Sequence, residues 1–346
     1  FYYQTTSINA ANYAPSSYNL QWQKAMAWVR ENTPPTIIEN NEFKGGTVFG
    51  HWWDYGYWLQ TIGERATMLD GGNAIGYWNY LMGRHGLTAQ TEEEAIELLY
   101  AHNVTHFLID STDIGKYSAY ASIGSDENYD RLSWIGTFLL NDAATKETRD
   151  STIYYYSGGV TLDEDYLYEP EPGKKTLIPS RAAGVGAMIL KIKNNNAQQP
   201  EAVFVYQGKQ INIPLRYLYY RGQLYDFNKG YKGCLYIFPR VSQAGQGVNI
   251  NDKGAAFFLS ERNMRALWVR LYLLGKENKF ELVHTEPNLI VEDLKNQGLE
   301  LGDIIYFQGV QGPIKIWKIN YDGNEKINPE YLQIDFPKEI ENRQFA

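Results

Sequence analysis

Residues Trp52-Trp53-Asp54-Tyr55-Gly56 place two indoles, a carboxylate and a glycine side by side, and this cluster restricts how the backbone around it can fold. A strand that simply continued would send the two tryptophans to opposite faces of a sheet. The preceding run Thr47-Val48-Phe49 is typical of a buried strand, and Tyr57 to Ile62 are suited to a helix. We therefore predict that a strand ends near Gly50 and leaves the pentapeptide on a loop, where binding groups are commonly displayed.

A carboxylate beside aromatic rings suits a small ligand group that carries a hydroxyl or amine donor. Ionised Asp54 only accepts hydrogen bonds, the indole N–H groups only donate them, and the rings exclude water. One hydrogen bond to a charged acceptor contributes about 1.5–3 kcal/mol. The structural alternative is that both tryptophans fill the core and Asp54 caps the next helix.

The pentapeptide resembles the five-residue signature of the catalytic subunit of oligosaccharyltransferase, the enzyme of asparagine-linked glycosylation. The flanks are similar too: Tyr18 to Pro34 resembles the helix that opens the globular domain in this family, and Arg65-Ala66-Thr67 and Asp70-Gly71-Gly72-Asn73 resemble blocks that follow the signature. The chain looks most like the C-terminal soluble globular domain of an archaeal AglB protein. The resemblance is specific over residues 15–125 and extends to the remainder in outline.

A second family motif, Asp-x-x-Lys-x-x-x-Met/Ile, is similar to the segment Asp113 to Tyr120. Asp113 and Lys116 fit, and the eighth position is Tyr120. Either this tyrosine supplies the apolar wall or Ile123 does. Positions i, i+3 and i+7 share one face of a helix, so the acid, the base and the apolar residue would line one edge of a pocket. A surface ion pair is the ordinary alternative for Asp113 and Lys116.

The resemblance implies recognition of an acceptor polypeptide that carries Asn-x-Ser/Thr. In that reading Trp52, Trp53 and Asp54 hold the Ser/Thr hydroxyl, and the stem of Lys116 meets the threonine methyl. Such contacts orient a substrate and do no chemistry themselves. The acceptor-binding residues implied in this way are Trp52, Trp53, Asp54, Tyr55, Gly56, Asp113, Lys116, Tyr120 and Ile123.

The resemblance also implies what lies outside the chain. The full-length enzyme would be a multi-pass cell-membrane dolichyl-phosphooligosaccharide–protein glycotransferase, with this domain a monomer on the extracellular face and Phe1 just outside the membrane. The lipid-linked oligosaccharide donor, the catalytic acids and a Mn²⁺ or Mg²⁺ ion would bind in the membrane region. The chain by itself is therefore expected to lack a metal, catalytic residues and transferase activity.

The composition argues against several other classes of protein. The net charge is −8 and no Lys/Arg cluster occurs, which argues against nucleic acid as a partner. No stretch approaches the roughly 18 apolar residues of a membrane span. The single cysteine, Cys234, is expected to be a buried free thiol, and without a second cysteine no disulfide can form within the chain.

The periodicity predicts a mixed α/β core with a β-rich insertion and no transmembrane region. Helices are expected at 19–31 and 91–102, a strand at 104–110, helical residues at 127–145, a long loop at 157–175, strands within 187–238 and closing strands at 304–307 and 314–319. Both motifs follow strand ends, the usual site of a crevice in α/β sheets. The predicted division is core 1–180, insertion 181–254, core 255–320 and a peripheral tail 321–346.

Several alternative functions stay open. An extracellular carbohydrate- or peptide-binding module would also use aromatic residues and acids, and a hydrolase could pair Asp54 with Asp70. The segment Ser260 to Trp268 imitates a variant of the second motif, but we predict a structural helix there. A zinc site at His102 and His106 is disfavoured because they straddle a helix–strand junction. The acidic groups near 126 and 163–165 are expected to be solvated loops.

Overall fold

The computed structural model describes residues 18–40, 42–244 and 247–338. The predicted junction at Phe1 therefore lies outside the described residues. In chain order the α-helices α1 to α8 are Leu20–Asn32, Gly56–Thr61, Gly76–Leu81, Glu92–Ala101, Asp113–Ile123, Glu261–Arg265, Leu267–Val269 and Leu289–Asn296. Three 3-10 turns are Trp53–Tyr55, Asp142–Ala144 and Pro329–Leu332, and two π-helical segments are Met82–Leu87 and Arg270–Leu274.

The strands β1 to β21 are, in chain order, Ile37–Glu39, Glu42–Gly45, Val48–Gly50, Ala66–Thr67, His106–Ile109, Gly136–Leu140, Lys146–Glu147, Ser151–Thr161, Tyr166–Glu171, Lys174–Ile178, Gly184–Lys193, Asn196–Ala197, Glu201–Tyr206, Lys209–Tyr220, Gln223–Asp226, Tyr231–Ala244, Gly247–Leu259, Phe280–Glu286, Ile305–Tyr306, Val310–Gln311 and Ile314–Ile319. The mixed α/β class is confirmed. The longest described helix has 13 residues, and none of the described helices combines the length and apolarity of a membrane span.

A five-stranded sheet in the order β18-β21-β5-β3-β4 positions both motifs. Strands β3 and β5 are parallel neighbours, with Phe49 opposite His106 and Gly50 opposite Phe107. Their carboxyl ends therefore meet at one edge of the sheet, and the chain continues from one end into Trp52 and from the other into Asp113. This placement was predicted from the two buried runs, and the structure confirms it.

Helix α1 packs against this sheet through the face predicted from its periodicity. Trp22, Ala25, Met26 and Val29 are all buried, and the Asn19 side chain caps the first turn by accepting a hydrogen bond from the Trp22 backbone N–H. Helix α4 begins in the same manner, with Thr91 as its N-cap and three glutamates in its positive first turn.

The second half of the chain builds a larger sheet that closes on itself. Its ring follows β14-β13-β11-β8-β6-β17-β16, and β16 returns to pair in parallel with β14. The inward residues form a separate apolar core that includes Tyr156, Met188, Phe204 and Phe258. Strands β17 and β16 also contribute Phe257 and Tyr236 to the other apolar cluster, the first core, which includes Met26, Phe49 and Phe107. These two strands therefore contribute side chains to both cores.

Two sequence predictions were wrong in this sheet. Residues 127–145 are not helical: they hold β6 and a single 3-10 turn, and β6 pairs with β17. Residues 157–175 are not a long loop, because β8 extends to Thr161 and β9 and β10 form an antiparallel hairpin. The glycines, prolines and acids of this stretch favour loops, but register with β11 over nine residue pairs holds β8 in the sheet.

The segment after Ser260 is structural, as predicted, but it is broken. Ser260 and Asn263 form a capping box for α6, and Ala266 then adopts extended backbone before α7 begins. Leu267, Trp268 and Leu271 are buried in the first core, whereas Met264 is only partly buried.

The described part of the predicted tail is attached to the core. The Tyr321 hydroxyl donates to the Val104 carbonyl, the Trp78 indole donates to the Gln333 carbonyl, and the Phe336 ring lies 5.4 Å from that of Tyr77. The large sheet takes strands from both sides of residue 181. The division into 1–180, 181–254, 255–320 and 321–346 stays a prediction.

Candidate functional site

The pentapeptide leaves β3 as one extended residue followed by a tight turn. Trp52 is extended, Trp53 to Tyr55 form a 3-10 turn, and α2 starts at Gly56. Gly56 has a φ of −57°, so its backbone does not require glycine. A Cβ at this position would lie 2.5 Å from both the Asp70 Cα and the Leu69 carbonyl oxygen. Glycine is needed for this close approach.

The flanking blocks that extend the resemblance make hydrogen bonds to the segments on either side of this turn. The guanidinium of Arg65 donates to the hydroxyl and carbonyl of Thr33 and to the carbonyls of Arg30, Gly63 and Glu64. It thereby satisfies the open carbonyls at the end of α1. Asp70 is engaged separately and accepts from the Gln60 side chain and the Gly72 backbone.

Asp54 and Lys116, which are far apart in sequence, meet at this edge of the sheet. The Lys116 Nζ lies 3.3 Å from Asp54 Oδ2 and 3.9 Å from Asp113 Oδ1. Oδ2 of Asp54 is buried and accepts no well-directed hydrogen bond from the described residues, so the short distance to Lys116 is an ion-pair contact. The Asp54 side chain as a whole is 28% exposed, so part of it is open to solvent.

Tyr55 connects the two motifs. Its hydroxyl donates to Asp113 Oδ1 at 2.6 Å and accepts from Lys116 Nζ at 3.1 Å. Asp113 is fully buried, and its Oδ2 accepts from the Asp110 backbone N–H. The resulting chain of contacts fixes Lys116 between the two carboxylates of Asp54 and Asp113.

Burial and like charge alter the titration of these acids. Loss of solvation, together with the nearby Asp110 carboxylate, raises the pKa of Asp113 from its ordinary value of 3.8 to about 7. Burial also raises the pKa of Asp110, despite the hydrogen bonds from Thr112. The pKa of the Tyr55 hydroxyl is well above its usual 10 because the group is buried beside these acids. Tyr55 therefore stays protonated and acts as a donor to Asp113.

The remaining predicted contacts differ in accessibility. Trp52 is buried and packs on the ring of Tyr120 with centroids 5.6 Å apart, whereas Trp53 is partly exposed. Tyr120 lies on the same face of α5 as Asp113 and Lys116, but its side chain has no exposed surface and backs Trp52 from inside. Ile123, in the last turn of α5, is partly buried against the first core. The ligand contacts proposed for both residues stay a prediction.

A cleft of about 550 Å³ opens at this point. Of the residues predicted to bind the acceptor, Asp54, Tyr55 and Lys116 line this cleft. The sequence did not predict that the other lining residues would come together. They are Asn19, Gln21, Trp22, Trp58, Asp110, Ser111, Thr112, Asn288, Val310 and Gln311. Strand ends could have signalled Asp110 to Thr112, but nothing in the sequence connects Asn288 and Gln311 with a motif more than 230 positions earlier.

Other polar residues have structural roles. His51 is fully buried, its Nδ1 lies 2.6 Å from the Trp52 carbonyl oxygen, and burial lowers its pKa to about 4. His102 and His106 bond to Tyr331 and Thr105, and the described residues contain no cluster of three or more His, Cys, Asp or Glu that could hold a metal. Cys234 is buried.

One acidic prediction was wrong. Asp163 is not part of a solvated loop: it is buried and accepts hydrogen bonds from Ser133 and Ser260. These bonds tie the loop after β8 to the capping box of α6. Burial raises the pKa of its carboxyl group.

Comparison with known proteins identifies the part of the chain that carries this site. Residues 47–158 match the STT3/PglB/AglB core domain. Dolichyl-phosphooligosaccharide-protein glycotransferase 1 of Pyrococcus furiosus is 33% identical over 108 residues, which are 30% of this chain and 10% of that protein. Glycotransferase 2 of Pyrococcus horikoshii is 23% identical over 273 residues, which are 79% of this chain and 28% of that protein. The chain thus spans less than a third of either relative.

Two solved structures show a low level of similarity to the chain. The C-terminal domain of PglB from C. jejuni has a TM-score of 0.40 and 10% identity, and the match covers 86% of this chain and 99% of that one. The apo oligosaccharyltransferase of Archaeoglobus fulgidus has a TM-score of 0.43 and 16% identity, with coverage of 87% and 32%.

Both relatives are named as glycotransferases, and the matched domain takes its name from the STT3, PglB and AglB proteins. Residues 47–158 thus carry the core domain of the STT3, PglB and AglB proteins, and this matched segment includes both the Trp-Trp-Asp turn and the Asp113/Lys116 helix.

Proposed function

We propose that this chain is the C-terminal globular part of an oligosaccharyltransferase and that it recognises the Ser or Thr of an Asn-x-Ser/Thr acceptor. The observation that carries the proposal is the position of Asp54. Its side chain lies next to the Lys116 ammonium group and lines a cleft that Trp22 and Trp58 also line. An alcohol that donates to this carboxylate would be held at a charged acceptor in surroundings that exclude water.

The contacts around Asp54 support a binding role. Lys116 is held by Tyr55 and Asp113, so its ammonium group stays next to the Asp54 carboxylate. A peptide that binds here is oriented without a change in its bonds, which accelerates a reaction by positioning. An analogue without the hydroxyl leaves Asp54 unpaired and is penalised for that reason.

The chemistry of transfer belongs to the remainder of the protein in this proposal. The lipid-linked donor, the catalytic acids and a Mn²⁺ or Mg²⁺ ion would be bound by a membrane region outside this chain. The globular part would lie on the extracellular face and supply the acceptor site. We propose accordingly that the chain alone does not transfer glycan.

The test is Asp54→Ala in the full-length protein that carries this chain, in membranes with its own donor. Loss of one hydrogen bond to a charged group, at about 1.5–3 kcal/mol, lowers glycosylation of a limiting Asn-x-Thr peptide roughly 10- to 150-fold. Asp252→Ala, an exposed acid on β17, is the matched control and should keep wild-type activity. Equal rates for Asp54→Ala and wild type would contradict the proposal.

A further inference from the structure

We propose that the cleft beside Asp54 also selects the acceptor residue next to the Ser or Thr, and that Trp58 binds an aromatic or large aliphatic side chain there. This inference rests on the proposed function, because the same polypeptide must place its hydroxyl on Asp54. It adds a specificity-determining residue that lies outside both motifs.

The size of the cleft gives the first argument. Its volume is about 550 Å³. At about 30 Å³ for each water-sized group, the three heavy atoms of a threonine side chain occupy roughly 90 Å³. A hydroxyl residue on Asp54 would therefore leave most of the cleft unfilled, and a neighbouring residue of the same polypeptide is the nearest group that can fill it.

The second argument comes from the amides that line the cleft, which are already engaged. Asn19 caps α1, and the Gln21 side chain donates to the carbonyls of Glu286 and Gly312. Asn288 donates to the Gln311 side chain, and its own oxygen caps α8. These bonds occupy the Asn19 oxygen, the Gln21 amide nitrogen and both ends of the Asn288 amide, and the partly exposed apolar side chains of the cleft are those of Trp58 and Val310.

Trp58 supplies the apolar contact. It is partly exposed, while Trp22 behind it is 4% exposed and holds it at a centroid distance of 4.8 Å. Val310, also partly exposed, lines the same cleft from the strand β20. A rigid indole that is supported from behind binds a flat or bulky apolar side chain with little loss of conformational freedom.

The charges of the cleft exclude an acidic neighbour. Asp54 and Asp110 contribute two carboxylates, and Lys116 is the only basic residue among those that line the described cleft. Lys116 is already shared among Asp54, Tyr55 and Asp113. A further carboxylate would meet a net negative site, so Asp or Glu next to the hydroxyl residue is disfavoured.

The experiment uses the full-length protein in membranes and two peptide series built on Asn-x-Thr. One series varies x, and the other varies the residue after Thr, with Phe, Leu, Gly or Asp at the varied position. In one of the two series we expect kcat/KM for Phe to exceed that for Gly about tenfold, which corresponds to about 1.4 kcal/mol, and Asp to rank last.

Substitutions test whether Trp58 is the residue that causes the preference for Phe over Gly. Trp58→Ala should bring the Phe/Gly ratio close to one, and Trp58→Phe should retain most of it, which shows that the site is still folded. Tyr57→Ala, the neighbouring and 51% exposed aromatic residue that does not line the cleft, should keep the wild-type ratio. A ratio near one in both wild-type series, or an unchanged ratio in Trp58→Ala, would overturn the inference.

Asp54→Ala separates the two proposals. If it lowers transfer to all peptides while the Phe/Gly ratio persists, both proposals stand. If it lowers transfer and the wild type shows no ratio, only the inference about Trp58 fails. If it leaves transfer unchanged, the recognition role of Asp54 fails, and with it the inference that depends on that role.

Discussion

Asp113→Asn is expected to change how the stability of the protein depends on pH. Asp113 is fully buried, and its pKa in the folded protein is raised to about 7 from 3.8. The folded state therefore binds a proton here more tightly than the unfolded state does. Ionisation of Asp113 lowers the free energy of unfolding. As the pH falls from about 8 towards 4, Asp113 is protonated in the folded protein and the free energy of unfolding rises again.

The magnitude follows from the pKa. Each pH unit between the folded and unfolded values changes the free energy of unfolding by about 1.4 kcal/mol. Between pH 8 and pH 5 the wild type should gain about 2–3 kcal/mol relative to Asp113→Asn. The buried histidines, such as His51 with a pKa of about 4, lose stability on acidification, but they are present in both proteins and cancel in the difference.

The assay is urea unfolding followed by tryptophan fluorescence at pH 5, 6, 7 and 8 for both proteins. Asp226→Asn is the control: Arg216 lowers the pKa of Asp226 to about 2, so that group titrates below this range and its difference should be flat. A flat difference for Asp113→Asn as well would show that Asp113 stays ionised and that Lys116 compensates its burial, which would refute the reasoning about the network.

Three further predictions concern the turn and the segments around it. Gly56→Ala should destabilise the protein by about 1–3 kcal/mol in the same unfolding assay, because its Cβ would meet the Asp70 and Leu69 backbone at 2.5 Å. Gly115→Ala, in α5 with open space around it, should instead stabilise by about 0.5–1 kcal/mol, and a loss there would contradict this reading. Arg65→Lys cannot reproduce the planar fork to Thr33, so we expect a loss of about 2–3 kcal/mol, and an unchanged midpoint would show that these bonds are dispensable.

The sequence was informative wherever a local pattern coincided with burial. Two short apolar runs before the motifs predicted β3 and β5, and their parallel pairing brought Asp54 and Lys116 together. The buried face of α1 and the N-cap of α4 followed from spacing and capping chemistry. The two strands, the helix face and the N-cap each depend on residues within one element, so the local sequence specifies them.

The errors came from interactions between distant segments. The stretch 157–175 has the composition of a loop, yet partner strands hold most of it in extended form. Asp163 looked like a solvated acid because its partners, Ser133 and Ser260, are 30 and 97 positions away. The cleft likewise depends on Asn288 and Gln311, which only the folded chain brings to Trp58.

The most direct test of the central claim compares an acceptor peptide containing Asn-x-Thr with one containing Asn-x-Val, in the wild type and in Asp54→Ala. Valine keeps the shape of threonine and removes its hydroxyl. If Asp54 accepts a hydrogen bond from that hydroxyl, the kcat/KM of the wild type is at least tenfold higher for the threonine peptide than for the valine peptide. Most of this preference then disappears in Asp54→Ala. A threonine preference of equal size in both proteins would contradict the account.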